Sequence, residues 1–293
     1  MIIKEIENDL YIEEIEDFDL GQTLECGQCF RFEKLLDNEY IIVAMNKLLR
    51  VKQVQKNVIL YNTSLSDYKN IWEKYFDFNN DYKKIKEWLL LKDNKLEDAI
   101  TSKYGVRLLN QDFFEILITF IISQNKQIPH IKHIVNQLSE QYGSKIGEYN
   151  GKSYYSFPTV ESLGKLSEVE FRELKVGFRA PYLVDACKKV IDGSVTNELI
   201  ATKNNEDALK ILLQIKGVGT KVAHCVMLFG LSRRDSFPID VWIKRIMENI
   251  YYKKETSKEE IQTFAKEHFG EYGGYAQQYL FYYARDNKII DYE

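Results

Sequence analysis

A glycine-rich turn between two helical segments is the part of this sequence best suited to chemistry. An apolar run ends in Gly217-Val218-Gly219, and a second helix-forming run begins at Thr220. Two glycines allow a tight turn that another backbone can approach closely. The amides that begin the second helix have no partner within it and lie at the positive end of its dipole, so they suit a phosphate. An ordinary helix–helix turn is the alternative.

Two charged residues follow this turn, and each has a catalytic and a structural interpretation. Lys221 falls in the first turn of the second helix, and Cys225 lies one turn later on the same face. A neutral lysine amine is a nucleophile, but the sequence alone favours a contact to phosphate. Asp240 precedes Val241-Trp242-Ile243, where it could cap a helix. Its carboxylate could equally stabilise a positive charge that develops during a reaction.

The elements that must position these residues begin with a β-rich segment. Short runs rich in branched and aromatic side chains alternate with polar breaks, which predicts an antiparallel meander. The predicted strands cover residues 29–35, 39–45, 47–54 and 58–62. Helices are predicted from 65 to about 91 and from 96 to 103. This segment, residues 1–104, is expected to form an antiparallel sheet domain.

From about residue 105 the apolar spacing becomes helical. Ser167 and Glu170 form a capping box for a helix that Gly177 is expected to end. Pro181 suits the first turn of another helix, which ends near Gly193. Further helices are predicted over 113–122, 128–142, 206–215, 220–231, 241–251, 258–269 and 275–285. The fold class is therefore α+β, with a sheet domain followed by a mostly helical body at 105–293.

The composition excludes several classes of protein. The 293 residues are 45% hydrophobic and 29% charged, which is typical of a soluble chain with a packed core. No apolar run approaches the roughly 18–20 residues of a membrane span, and the acidic start shows no secretory signal. Four cysteines are too few for a disulfide scaffold, which favours a reducing, intracellular setting. Cys26 and Cys29 form a lone CxxC that lacks further zinc ligands, so no metal is expected.

The charge of the chain is unevenly distributed. The formal net charge is −4, which by itself argues weakly against a nucleic-acid partner. Residues 1–40 hold three basic and twelve acidic side chains, so the remaining 253 residues carry a net charge of +5. Residues 201–250, which include the glycine turn, hold eight basic and five acidic side chains. A modestly positive face is therefore available for phosphate contacts.

The turn and the segment after it resemble a known family. Gly217-Val218-Gly219, Lys221 and Phe237-Pro238-Ile239-Asp240 are similar to the signature of the helix-hairpin-helix DNA glycosylases, and the chain resembles their 8-oxoguanine branch. Further matching segments occur in order at 27–31, 104–109, 111–112, 123–125, 177–180, 274–277 and 280–281. The resemblance implies a hairpin-bearing lobe at 105–122 and 182–293. It also implies an inserted helical lobe at 123–181.

This resemblance implies a bifunctional DNA glycosylase and abasic-site lyase that excises 8-oxoguanine from duplex DNA. Lys221 would attack the sugar C1′ as a neutral amine and leave a Schiff base, and β-elimination would then cut the strand. Asp240 would support the charge on the sugar and assist the lysine. These roles make the phosphate contact the alternative for Lys221, whereas helix capping and catalysis can coexist at Asp240.

The same resemblance implies how the flipped base is held. Cys225 and Phe281 would form the two walls of its pocket, and Gln277 would bond its pairing edge. The carbonyl of Gly27 would accept the proton on N7 that 8-oxoguanine has and guanine lacks. Asn125, His130 and Arg179 would face the opposite cytosine, and Phe178 would insert into the base stack. The backbone phosphates would be bound by the amides of Gly217, Gly219 and Val222.

The chain departs from the family at four positions. Lys216 replaces a common proline and adds a positive charge near phosphate. His130 replaces an arginine that reads cytosine in animal members, which predicts relaxed discrimination of the opposite base. Trp242 replaces a histidine that contacts phosphate, and His224 stands where some members have an aspartate. No cysteine follows Cys225, so the iron–sulfur cluster of a related branch is not expected.

Two alternatives stay open at the level of the sequence. A monofunctional alkyl-base glycosylase of the same fold would use Asp240 to activate water and would need no lysine. A non-catalytic DNA-binding protein would use only the hairpin. The expected partner is duplex DNA with 8-oxoguanine, and the chain is expected to act as a monomer without a cofactor or a membrane. The expected location is the cytoplasm and nucleoid, or the nucleus in a eukaryote.

Overall fold

A six-stranded antiparallel sheet forms the N-terminal part of the computed structural model, which describes residues 1–287. Its strands follow one another in space in the order β1-β2-β6-β5-β4-β3. They are β1 Ile2–Ile6, β2 Asp9–Glu13, β3 Phe32–Leu36, β4 Glu39–Ala44, β5 Lys47–Val54 and β6 Asn57–Tyr61. The predicted meander is thus confirmed as β3 to β6, and the structure adds the hairpin of β1 and β2.

The sequence of β2 alternates between buried and partly exposed positions, as a strand does. In β2, Leu10 and Ile12 point into the core and their neighbours are only partly covered. β2 pairs with β6, with Leu10 opposite Leu60 and Ile12 opposite Val58. Acidic residues surround β2 and make the segment polar overall, so its composition does not show this alternation.

The sheet packs against a short helix and a broken helical segment. These are α1 Leu20–Glu25, α2 Leu65–Asp67 and α3 Glu73–Tyr75, with a π-helical turn at Tyr68–Trp72. Tyr68, Trp72 and Phe76 are fully buried against the apolar face of the sheet. α4 Tyr82–Lys92 and α5 Glu97–Ser102 follow. The helix predicted from 65 to 91 is therefore two helical segments separated by a loop.

Eleven helices build the rest of the part that the structure describes. They are α6 Phe113–Ser123, α7 Ile128–Tyr142, α8 Val160–Leu163, α9 Glu168–Glu173, α10 Ala180–Ile191, α11 Asn197–Ala201, α12 Asn205–Leu212, α13 Thr220–Phe229, α14 Val241–Met247, α15 Lys258–Phe269 and α16 Gly273–Asn287. Strands β7 Lys145–Tyr149 and β8 Lys152–Tyr155 interrupt them as a hairpin that was not predicted.

The predicted helix ends are mostly confirmed. The capping box of Ser167 and Glu170 begins α9. The expectation that Gly177 ends this helix is wrong, because α9 stops at Glu173 and Gly177 instead begins a 3₁₀ turn that leads into α10. Gly177 has a φ of +64°, which lets the chain reverse between the two helices.

One continuous apolar core fills the helical body and includes residues from α4 to α16. A second core lies under the sheet. Gln28 is a fully buried polar residue between members of the two cores. Its amide donates to the carbonyls of Thr23 and Arg107, both at 2.8 Å, and its oxygen accepts from the amide of Leu109. The loop before β3 is thereby held at the junction of the two parts.

No helix among residues 1–287 is long and apolar enough to cross a membrane. The same residues contain no group of three or more His, Cys, Asp and Glu side chains placed to hold a metal ion.

Candidate active site

The turn between α12 and α13 needs a glycine at position 217. Gly217 has a φ of +76°, and a Cβ built there would lie 2.2 Å from the ring of Tyr182 on α10. The amide of Lys216 donates to the carboxylate of Asp185 at 2.7 Å, which ties the turn to the same helix. The hairpin predicted from the sequence is therefore held in place by α10.

The N-terminus of α13 presents its amides without a side-chain cap. Gly219 is the N-cap residue and has open space where a Cβ would be, and no residue among 1–287 caps this helix end through a side chain. The amides of the first turn, including that of Val222, have no acceptor within the helix. This end of α13 is thus suited to an anion.

Lys221, Cys225 and Asp240 lie together next to this helix end. Cys225 is buried one turn after Lys221. Burial raises the pKa of the Cys225 thiol, Lys221 lowers it through its charge and a side-chain hydrogen bond, and the charge of Asp240 raises it. The amine of Lys221 also lies 5.1 Å from the ring centroid of Phe120 on α6. The Cys225 thiol is therefore within electrostatic range of an amine and a carboxylate, and the amine faces an aromatic ring.

Asp240 caps α14 and leaves part of its carboxylate available. Its Oδ1 accepts from the amide of Ile243 at 2.8 Å, so the side chain has a fixed orientation. Phe237, Pro238 and Ile239 before it are buried, which fixes the backbone as well. The capping role is thus present, and it positions the carboxylate beside Cys225.

A second group of predicted residues meets between the loop after α1 and helix α16. Gly27 has a φ of +90°, and a Cβ built there would lie 3.4 Å from Phe281. Gln277 is one turn before Phe281 and only 5% exposed. Its Oε1 is buried and no group among the described residues donates to it. A buried acceptor without a donor costs about 1–3 kcal/mol of folding free energy. Such an unpaired atom is typical of a site where a ligand supplies the missing hydrogen bond.

Comparisons with known proteins identify the family of the chain. Residues 10–117 match the family model of the 8-oxoguanine DNA glycosylase N-terminal domain, and residues 118–271 match the HhH-GPD superfamily of base excision DNA repair proteins. The chain belongs to the HhH-GPD superfamily, in its 8-oxoguanine DNA glycosylase branch. The boundary between the two matches falls inside α6, so the division at residue 104 and the two lobes of the body stay predictions.

Relatives of known structure and name cover almost the whole chain. An 8-oxoguanine glycosylase/lyase of Clostridium acetobutylicum, solved with double-stranded DNA containing cytosine opposite 8-oxoguanine, is 40% identical. It covers 98% of this chain and 99% of its own, with a TM-score of 0.94. A probable N-glycosylase/DNA lyase of Methanothermobacter thermautotrophicus is 28% identical over 94% of this chain and 96% of its own length. The N-glycosylase/DNA lyase of Saccharomyces cerevisiae is 31% identical over 79% of this chain and 68% of its own.

In this glycosylase, the residues expected to face the opposite strand differ in exposure. Asn125 has a φ of +50° and is exposed, as is His130. Phe178 is 52% exposed at the tip of the 3₁₀ turn before α10. An exposed aromatic ring at a turn is what insertion into a base stack requires.

Arg179 is buried, with 3% of its surface exposed. Its Nη1 donates to the carbonyl of Val176 at 3.0 Å, and its guanidinium lies 4.2 Å from the ring of Phe178. Its Nε is buried without a partner among residues 1–287. Burial lowers the pKa of Arg179, and burial together with the charge of Arg179 lowers that of Lys126. The guanidinium of Arg179 thus lies beside the exposed ring, and its charge acts on the amine of Lys126.

The departures from the family occupy distinct environments. Trp242 is 39% exposed in the first turn of α14, next to Asp240. His224 is largely buried on α13, and its Nδ1 has no hydrogen-bond partner in the described part of the chain. Burial lowers the pKa of His224 to about 4, so its ring is neutral near neutral pH.

The structure also adds residues that the sequence analysis did not identify. Phe120 was predicted only as part of a core helix, yet its ring faces Lys221. Gln278 and Arg285 of α16 contact the loop that carries Gly27. Arg285 follows Gln277 and Phe281 at a spacing of four residues, so helical periodicity was a signal for it.

Proposed function

We propose that this chain removes 8-oxoguanine from duplex DNA and cuts the strand at the resulting abasic site, with Lys221 as the nucleophile. The observation that carries this proposal is the meeting of Lys221 with Cys225 and Asp240 at the free end of α13. The names of the relatives, N-glycosylase/DNA lyase, support both activities.

The reaction follows from the groups at this site. The neutral amine of Lys221 attacks C1′ of the damaged nucleotide, and the base departs with the electrons of the glycosidic bond. The carboxylate of Asp240 stabilises the positive charge on the sugar while that bond breaks. Loss of the amine proton and opening of the sugar give a Schiff base. Removal of a C2′ proton then expels the 3′ phosphate, which is the β-elimination of a lyase.

The base pocket is built from α13, α16 and the loop after α1. The flipped base lies between Cys225 and Phe281, and its pairing edge supplies the donor that Oε1 of Gln277 lacks. The carbonyl of Gly27 accepts the proton on N7. The Gly27 loop and the Phe281 ring are in contact in the structure, which supports this placement.

Contacts to the rest of the duplex use the hairpin and the exposed turn. The amides of Gly217, Gly219 and Val222 bind the phosphate backbone at the end of α13. Asn125, His130 and Arg179 face the cytosine, and Phe178 fills the stack. Arg179 must turn outward for this purpose, because its guanidinium is folded against Phe178. Discrimination among opposite bases is expected to be relaxed at His130.

We also propose that the chain acts as a monomer in a reducing compartment with access to DNA. All four cysteines are buried as free thiols, and burial raises the pKa of each, which favours the inert thiol form.

Borohydride trapping tests the nucleophile. With duplex DNA that contains 8-oxoguanine, reduction should leave a covalent protein–DNA adduct in the wild type. Lys221→Gln should form no adduct and should cut no DNA. Lys210→Gln on α12 is the matched control, because Lys210 is exposed and pairs with Asp207 on the same helix. Normal trapping by Lys221→Gln would contradict the proposal, and release of 3-methyladenine without cutting would favour the monofunctional alternative.

A further inference from the structure

Helix α16 binds the loop that carries Gly27 through two side chains. Nη2 of Arg285 donates to the carbonyl of Glu25 at 2.9 Å. Nε2 of Gln278 donates to the carbonyl of Cys26 at 3.1 Å. Two successive carbonyls, that of the last residue of α1 and that of the first residue of the loop, are therefore engaged from the same helix.

The next carbonyl along the loop is different. No donor in residues 1–287 bonds the carbonyl oxygen of Gly27. Gly27 has a φ of +90°, a backbone conformation that residues with a side chain rarely adopt. Of the three carbonyls, the one that the proposed function assigns to the base is the one that the protein leaves free.

The spacing along α16 explains why one helix can do both tasks. Gln277, Phe281 and Arg285 are four residues apart and share a face. A Cβ built on Gly27 would lie 3.4 Å from Phe281 and 3.5 Å from Nη1 of Arg285, so both side chains contact the loop. The helix that supplies the base stack also fixes the loop opposite it.

Both side chains are themselves held in place. Gln278 is only 2% exposed. The guanidinium of Arg285 lies 4.7 Å from the ring centroid of Tyr282 and 3.4 Å from the carboxylate of Asp286, which in turn pairs with Lys103, the residue after α5. A donor fixed on several sides can hold a carbonyl within the narrow range of positions that a selective hydrogen bond needs.

We propose that Arg285 and Gln278 are positioning residues that set lesion selectivity by holding the Gly27 carbonyl toward the base. This inference rests on the proposed function of the site. Without these donors, the loop can rotate and the carbonyl can turn away from N7, which removes the one contact that separates 8-oxoguanine from guanine. The chemistry at Lys221 does not depend on this loop.

Two substrates separate base recognition from chemistry. The first is duplex DNA with 8-oxoguanine opposite cytosine, and the second is the same duplex with a preformed abasic site, which has no base to recognise. Arg285→Met and Gln278→Met should each slow excision of 8-oxoguanine about tenfold, the effect of losing one well-placed hydrogen bond. Cutting at the abasic site should stay within about twofold of the wild type. Arg285→Lys keeps one donor and should recover part of the excision rate.

Arg172→Met is the matched control, since Arg172 is exposed on α9 and pairs with Glu168 on the same helix. It should leave both rates unchanged. Equal excision by the wild type and both methionine variants would overturn the inference. So would a parallel loss of excision and abasic-site cutting together with a lowered Tm, because that result shows a general structural role. A wild type that excises no 8-oxoguanine would instead overturn the proposed function, and this inference with it.

Discussion

At the scale of single residues, three side chains near the proposed DNA contacts hold buried polar atoms without partners. They are Nε of Arg179, Nδ1 of His224 and Oε1 of Gln277, within the part of the chain that the structure describes. Each such atom costs about 1–3 kcal/mol of folding free energy, because it loses water without gaining a protein partner. A protein retains this cost where a ligand supplies the partner, which fits a base pocket at Gln277.

Gln277→Leu should separate stability from activity. The leucine fills similar space and removes the unpaired oxygen, so the free energy of unfolding should stay the same or rise by about 1 kcal/mol. Excision of 8-oxoguanine should fall about tenfold or more, since the base loses a partner at its pairing edge. Urea unfolding and single-turnover excision measure the two effects. A destabilised variant with normal excision would mean that Gln277 only supports the core.

His224 gives a dependence of stability on pH. Burial lowers its pKa to about 4 in the folded chain, whereas an unfolded histidine has a pKa of about 6.5. Between these values the unfolded state binds more protons, so the contribution of His224 to stability is complete above about pH 6.5 and is lost as the pH falls toward 4. Urea unfolding at about pH 7 and about pH 4.5 measures how far the free energy of unfolding falls between the two. This fall should be about 1–3 kcal/mol smaller in His224→Gln than in the wild type. Equal losses in the two proteins would contradict this assignment.

At the scale of elements, the hairpin depends on close contact between its turn and α10. The ring of Tyr182 occupies the space beside Gly217, and Asp185 binds the amide of Lys216. The end of α13 can only face a phosphate if this turn keeps its shape. The glycines at 217 and 219 therefore have different tasks, since only the first is packed against a neighbour.

Gly217→Ala should harm the hairpin far more than Gly219→Ala. The first variant places a methyl group 2.2 Å from the ring of Tyr182 at a φ of +76°, so it should cost about 2–4 kcal/mol of stability. Position 219 has open space around it, and the cost there should be about 1 kcal/mol or less. Thermal unfolding measures both variants. Similar Tm values for the two would show that the turn is not packed as described.

At the scale of the whole molecule, Arg107 joins the sheet domain to the helical body. It is 5% exposed and donates to the carbonyls of Glu16, Asp17, Asp77 and Asn80 at 2.8–3.2 Å. Its guanidinium also lies 4.3 Å from the ring centroid of Tyr82. The position of the Gly27 loop relative to α16 depends on this junction, because Gln28 also bonds the carbonyl of Arg107.

Arg107→Met should unfold the junction. The variant leaves four backbone carbonyls without their charged donor, so the free energy of unfolding should fall by about 3–5 kcal/mol. Arg172→Met, at an exposed pair, should cost no more than about 1 kcal/mol. Urea unfolding of the two variants gives the comparison. A loss below about 1 kcal/mol for Arg107→Met would mean that the two parts hold together without it.

The sequence by itself determined the local elements and the identity of the chemical groups. α7, α15 and the capping box of α9 lie where periodicity and capping residues predict them, because the helical pattern and the caps are local. Strands β7 and β8 were missed although Asn150-Gly151 between them is a strong hairpin signal. The polar composition of the two strands argued against a hairpin more strongly than the turn argued for it.

Only the tertiary structure decided which groups meet. The sequence placed Gly27 and Arg285 more than 250 positions apart, and no local pattern says that α16 closes over the loop after α1. Arg179 and Phe120 were also assigned by tertiary contacts, the first as a buried cation and the second as the wall beside Lys221. Packing of two cores sets these distances, and packing is a property of the whole chain rather than of any segment.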